Sequence, residues 1–227
     1  MVVIAAVSDI HSPRFLDQFL ASMGIRMNQA ELMLWAGDMV WRGRISTLDS
    51  VLKGVRKVYN GRIIAVFGNE EHDDLKPRFI KNYPEITWLD DSEIDLEIAG
   101  RKMRIVGTKG SLGEPTTWQE KNIPNIQEIY ANRIQKVRWM LSKRESGVIN
   151  LFLTHYSPSS LTIAGESPAL YPVLMDERME TVVRETKPDF VVHGHSHNSR
   201  VLYSEVEGIR VFNVAFPARK RITMIDI

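Results

Sequence analysis

The sequence predicts an α/β fold, on three observations. Residues 2–7 form an unbroken run of valine, isoleucine and alanine, the composition of a strand covered on both faces. A helical stripe of Phe15, Leu16, Phe19, Leu20 and Met23 follows it. The unit then recurs: residues 32–36 read as strand, Leu48, Val51, Leu52 and Val55 mark a second helical face, and residues 62–67 return to strand. Strands alternating with helices build a sheet with helical layers on its faces.

The first helix takes its start from Ser12 and Pro13, an N-cap and a first-turn proline, and its stop from Gly24. After the third strand the pattern changes. Residues 87–89, 94–98 and 102–106 are short strand-like runs, the last two joined by a turn at Ala99 and Gly100, so this region is expected to be antiparallel. Residues 107–124 are rich in turn formers. Ile126, Tyr130, Ile134, Val137 and Leu141 then define a long amphipathic helix whose charges are expected to form a solvated face. A strand over 149–154 leads into a polar stretch, residues 156–172, long enough to be a functional loop. A helix from Asp176 and three further strands complete the reading, as a single domain over residues 1–227.

With 227 residues, a domain can bury about 70% of the surface its unfolded chain exposes. The 29 basic and 28 acidic residues nearly cancel, so no global field draws the protein to nucleic acid or an anionic membrane. Cysteine is absent, which excludes disulfides and thiolate ligands and leaves His, Asp, Glu and Asn as metal donors. The apolar N-terminal run lacks a basic flank and is interrupted by Asp9 and His11 well short of a membrane span. The expected location is therefore cytoplasmic.

Five short motifs each end a predicted strand, where open α/β sheets place their ligands. Asp9 and His11 stand two residues apart, so in extended backbone both face one way. Asp38 follows Gly37 and Asn69 follows Gly68; a carboxylate with two oxygens can bridge two cations, and the glycines let the backbone approach closely. His155 ends the strand over 149–154, and His195 and His197 repeat the two-residue spacing. Mixed nitrogen and oxygen donors without sulfur suit Mn, Fe, Zn, Co or Ni better than Mg or Ca.

Taken in order, Asp-x-His, Gly-Asp, Gly-Asn, Thr-His and Gly-His-x-His resemble the calcineurin-like metallophosphoesterase superfamily, over residues 9–197. The resemblance implies a four-layer αββα sandwich, two mixed β-sheets flanked by helices. It implies two divalent transition-metal ions, one held by Asp9, His11 and His197, the other by Asn69, His155 and His195, with Asp38 bridging. The chemistry implied is phosphoester hydrolysis by in-line attack of a metal-bridging hydroxide on a small phosphoester. The expectation is a phosphodiesterase; a phosphomonoesterase or protein phosphatase, and a metal-bearing binding or scaffold module, are the alternatives.

At the third motif the superfamily commonly has Gly-Asn-His-Asp/Glu, and here Glu70 occupies the histidine position. Glu70, or His72 two residues on, is the candidate catalytic acid, with Asp38 in the reacting centre. The run from Gly37 to Gly43 resembles the Gly-Asp-x-Val-Asp-Arg-Gly motif of protein Ser/Thr phosphatases, with Trp41 in the aspartate position and Arg42 as a candidate phosphate contact. His193 reads as a buried strand histidine, and Lys109 as a solvated charge.

Overall fold

The computed structural model describes residues 2–227, arranged as two sheets packed face to face with helices on both outer faces. The chain opens with β1 (Val3–Val7), α1 (Leu16–Ser22), β2 (Leu32–Ala36), α2 (Leu48–Arg56), β3 (Arg62–Val66), α3 (Lys76–Asn82) and β4 (Ile86–Leu89). It continues with β5 (Ser92–Ile98), β6 (Arg101–Thr108), α4 (Thr117–Asn122), α5 (Ile126–Leu141), β7 (Val148–Thr154) and α6 (Glu177–Thr186). It closes with β8 (Phe190–His193), β9 (Tyr203–Val206), β10 (Ile209–Asn213), α7 (Phe216–Arg219) and β11 (Thr223–Asp226).

The first sheet runs β11-β1-β2-β3-β4 and the second β5-β6-β7-β8-β10-β9. Both are mixed. β1 to β4 are parallel with β11 antiparallel at one edge, while β6, β7, β8 and β10 are parallel and flanked by antiparallel β5 and β9. The αββα sandwich implied by the motifs is the observed architecture.

Side-chain alternation assigns the layers. In β1, Ile4 and Ala6 enter the core between the sheets with Leu34, Ile64, Val66, Ile105, Leu153 and Val192. Ala5 and Val7 point the other way, to Phe19 of α1, the α2 stripe and Phe79 of α3. On the far side of the second sheet, Val106, Phe152 and Val191 meet Ile134, Val137 and Met140 of α5 and Met179, Val182 and Val183 of α6. Covering both faces is what lets parallel strands be continuously apolar. Among the described residues no helix is long and apolar enough to cross a membrane.

Several expectations need correction. The strand at residues 86–89 is parallel to β3, not antiparallel, because α3 carries the chain back along the sheet. That helix escaped the periodicity reading since Phe79 is its one fully buried side chain. α4 also lies inside the turn-rich stretch, started by a capping box between Thr116 and Gln119. Four strands follow α6 instead of three. Ser12 does not cap α1; its hydroxyl donates to the carbonyl of Thr47, and the helix begins three residues after Pro13.

The charged face of α5 is not wholly solvated either. Arg133 is 8% exposed, donates to both carboxylate oxygens of Asp91 at 2.9 Å and to the carbonyl of Gly110 at 2.8 Å, and so ties α5 to the ends of β4 and β6. Replacing it by alanine leaves the Gly110 carbonyl without its partner and Asp91 with only the Thr108 hydroxyl. Arg133→Ala should therefore lower stability by about 3 kcal/mol, read as a shift of the urea midpoint at unchanged slope; a shift under a third of that would show that the pair is not structural.

Candidate metal centre

The parallel strands of both sheets end at one rim, and the motif residues occupy the turns that leave it. Asp9 and His11 follow β1, Asp38 follows β2, Asn69 follows β3, His155 follows β7, and His195 and His197 follow β8. The turns are tight and locally strained. Asp9 (φ 59°), His11 (φ 45°), Asp38 (φ 53°), Arg42 (φ 51°) and His195 (φ 68°) all lie in the left-handed region. Each such residue costs on the order of 1 kcal/mol and persists because surrounding contacts over-determine it.

Two glycines permit the crossing of the β2 and β3 turns. Gly37 has φ 84°, and a Cβ there would stand 2.7 Å from both the Gly68 amide and His155 Nδ1. A Cβ on Gly68 would collide with the Asp38 carboxylate. Backbone of one ligand turn thus lies directly against side chains of the other two.

All seven predicted donors converge. Asp9, His11 and His197 each place a donor atom within 4.8 Å of the other two, and Asp38, His155 and His195 do the same. Asn69 Oδ1 is 3.0 Å from His155 Nε2. Asp38 lies between the groups, its Oδ2 3.9 Å from His11 Nε2 and 3.5 Å from His155 Nε2. Asp9 Oδ1 is 2.9 Å from His197 Nε2, which in turn is 3.4 Å from His11 Nε2.

The hydrogen bonds outside the cluster fix which nitrogens face it. His155 Nδ1 donates to the carbonyl of Ala36 at 2.8 Å, leaving Nε2 toward Asp38 and Asn69. His195 Nε2 donates to the carbonyl of Val173 at 3.2 Å, leaving Nδ1 as its ligand atom. Once deprotonated, imidazoles oriented this way would present lone pairs beside carboxylate and amide oxygens, a donor set that a cation completes. These residues therefore fit divalent metals by donor type, convergence and second contacts alike. His11 Nδ1 has no partner among the described residues.

Protonation follows from the same contacts. Burial drives the Asp9 carboxyl upward, but the His197, His155 and His11 imidazoles outweigh it and hold it far below the usual range. Burial pulls the His155 imidazole down, and the adjacent Asp38 carboxylate overcomes this and raises it to about 9. His195, buried and facing His155, is pushed down to about 4.

Glu71 is a functional residue that the motifs did not single out. Its carboxylate is wholly buried and accepts four backbone N–H groups: Asp38 at 2.8 Å and Gly68 at 2.7 Å on Oε2, Met39 at 2.7 Å and Val40 at 3.2 Å on Oε1. Burial, then the nearby Asp38 charge, raises it to about 7 against the pull of these bonds. Its signal in the sequence was its place at the last position of the Gly-Asn-x-Asp/Glu pattern.

The other candidates fall outside the cluster. Glu70 sends its carboxylate to the Arg42 amide at 2.5 Å, while its own amide donates to Asp38 Oδ1 at 2.8 Å. His72 faces the space above Gly43 and packs near Trp118, with ring centroids 6.4 Å apart. Arg42 is exposed, its guanidinium 5.6 Å from the Trp41 ring. Lys109 is not solvated: it is buried and paired with Asp73 at 2.6 Å. His193 is fully buried, bonded to the Gly194 carbonyl and at 2.7 Å to Thr162 Oγ1, as read from its strand position. Tyr156 packs on His195 with centroids 4.8 Å apart, whereas Ser160 turns away to Glu180.

The profile described as calcineurin-like phosphoesterase matches residues 2–199. Among solved structures, the chain is similar to phosphopantetheinyl hydrolase from Mycobacterium tuberculosis, with a TM-score of 0.71 at 15% identity over 96% of this chain and 90% of that one. It is also similar to the protein TT1561 of Thermus thermophilus, with a TM-score of 0.58 at 12% identity over 99% and 98%. The NAD nucleotidase of Haemophilus influenzae aligns with a TM-score of 0.55 at 14% identity, over 96% of this chain and 51% of the longer protein. At these identities the likeness is one of fold. A search of curated proteins finds no match.

Two outcomes are expected of the centre. Glu71→Gln turns an NH2 group toward backbone donors and should cost about 2–3 kcal/mol, measured by thermal unfolding; wild-type stability would remove Glu71 from its supporting role. The His155 proton, held until about pH 9, competes with any cation at Nε2. Apparent Mn²⁺ affinity should therefore rise with pH from neutrality toward 9 and then level, with about one proton released per cation bound below that value. Calorimetry in buffers of different ionisation enthalpy reads both; an affinity flat across that window contradicts the assignment.

Proposed function

The chain belongs to the calcineurin-like phosphoesterase family and is a metallophosphoesterase, and from that premise we propose that it hydrolyses small phosphodiesters. In this reading Asp9, His11 and His197 hold one divalent cation, Asn69, His155 and His195 hold a second, and Asp38 bridges them. The observation that carries it is the position of Asp38 Oδ2, within 4 Å of an imidazole nitrogen from each group. When bound, two such cations, Mn²⁺ or a neighbouring transition metal, would supply an activated water and charge stabilisation for in-line phosphoryl displacement.

The chain's own residues bias the reaction toward undemanding leaving groups. Glu70, at the position where the family commonly has histidine, accepts a hydrogen bond from the Arg42 amide and so acts as an acceptor there. That bond fixes the left-handed Arg42 turn and commits the accepting oxygen of Glu70 to the turn. Among the described residues no hydrogen bond joins His72 to the donor cluster. An alkyl leaving oxygen needs an acid and an aryl one does not. Arg42, exposed with its guanidinium 5.6 Å from the Trp41 ring that meets His11, is a candidate contact for a non-bridging phosphate oxygen.

The same placement of Glu70 and His72 favours a second reading, a metal-bearing scaffold with little turnover. One experiment separates them. With Mn²⁺, the purified protein should cleave bis-p-nitrophenyl phosphate with kcat/KM about tenfold above that for p-nitrophenyl phosphate, and Asp38→Asn should abolish both cleavage and binding of one cation. Faster monoester cleavage overturns the diesterase preference, and an inactive wild type that still binds two cations supports the scaffold.

A further inference from the structure

Each of the first two ligand turns carries aromatic and basic residues just beyond its ligands. Arg14 and Phe15 follow His11, and Trp41 follows Asp38. The turns are laced together: the His11 amide donates to the Asp38 carbonyl at 3.0 Å, the Ser12 amide to Met39 at 2.9 Å and the Trp41 amide to Ser12 at 3.1 Å. Arg14 and Trp41, each three residues past a candidate ligand, are thereby brought to one lip of the site.

At that lip the guanidinium of Arg14 lies 4.7 Å from the Trp41 ring and 5.0 Å from the Phe15 ring. Lys220, from the turn after α7, places its ammonium 5.3 Å from the same Phe15 ring. The rings reach the donor cluster directly, with Trp41 edge-on to His11 at 5.6 Å and Phe15 tilted against it at 6.4 Å. Arg14 and Lys220 are exposed, and neither takes part in the ion pairs found among the described residues.

A guanidinium flanked by two aromatic rings is oriented before a ligand arrives, and its donors remain available for a planar fork onto phosphate. No carboxylate neutralises it here. Among the described residues neither cation's side chain bonds to a donor of the cluster, and each is linked to His11 through an aromatic ring, so both are available to a group of the molecule other than the phosphate at the metal donors. Their chemistry selects an oxyanion with more than one charge.

We propose that Arg14 and Lys220, propped on Phe15 and Trp41, form a subsite for a second phosphate of the substrate. The substrate class is then a phosphoester that carries a further phosphate group, as in a nucleoside bisphosphate ester. This inference rests on the phosphoesterase reading of the metal centre.

Two esters with the same reacting bond test it: thymidine 5′-(p-nitrophenyl phosphate), with and without a 3′-phosphate. The 3′-phosphorylated ester should show about tenfold higher kcat/KM, carried by KM and falling as salt is raised. In the double variant Arg14→Ala, Lys220→Ala that ratio should drop below about threefold, whereas Lys136→Ala, which removes an exposed cation from α5, should preserve it. Equal kcat/KM for the two esters, or a ratio that the double variant retains, overturns the subsite. Calorimetric binding of thymidine 3′,5′-bisphosphate against thymidine 5′-monophosphate reads the subsite without turnover. If neither ester is cleaved but the bisphosphate still binds tighter through Arg14 and Lys220, the phosphoesterase reading has failed and the subsite stands; if the two nucleotides bind alike, the subsite fails.

Discussion

The Glu71 carboxylate, buried against four backbone amides, is the constraint on which the centre depends. Those amides belong to two turns that the chain visits about thirty residues apart. By accepting from Asp38, Met39 and Val40 on one side and Gly68 on the other, it sets the separation of the β2 and β3 turns. The Asp38 and Asn69 side chains are aimed as a consequence. Burying a carboxylate is costly unless its lone pairs are filled, and here backbone donors fill them. A cost remains in the repulsion between Glu71 and Asp38, which cations between the two histidine groups would relieve.

A comparable clasp works on the other sheet. Asp9 Oδ2 accepts from the His195 amide at 2.9 Å and from Ser8 Oγ at 2.5 Å, so the carboxylate that faces His197 with one oxygen anchors the β8 turn with the other. Asn213 extends this hold. Its side-chain amide donates to the Ser196 carbonyl at 2.9 Å and its oxygen accepts from the Ala215 amide at 3.0 Å. The two sheets are thus joined at the rim by polar contacts between turns, above an interior joined by apolar side chains.

Much of this was legible in the chain because the strong signals are local. The β-branched runs at β1, β2 and β3 and the stripe of α2 need no tertiary information, and strand-end placement of four of the seven donors, Asp9, His11, Asp38 and Asn69, follows from them. What escaped depends on distant partners. α3 buries one side chain and shows no stripe, so the parallel pairing of β4 with β3 was hidden. Arg133 and Lys109 look like surface charges until Asp91 and Asp73 are brought beside them by the fold. Glu71 fits the last position of the Gly-Asn-x-Asp/Glu pattern, but its support of two turns depends on Asp38, Met39 and Val40, about thirty residues away. Glu70 itself has a defined task, and it is conformational, since its carboxylate holds the Arg42 amide.

The clasp at Asn213 has a consequence for how the protein is made. Asp9 and His197 face each other across 188 positions of chain, and the turn that presents His197 gains the Asn213 clasp when β10 has paired with β8. During synthesis the first sheet can pair β1 through β4 early, with Asp9, His11, Asp38 and Asn69 in place. Those four of the seven donors complete neither group, since one lacks His197 and the other His155 and His195. The complete donor set is therefore assembled only once β7, β8 and β10 have formed, so the centre would gain its full hold on a metal at a late stage of folding.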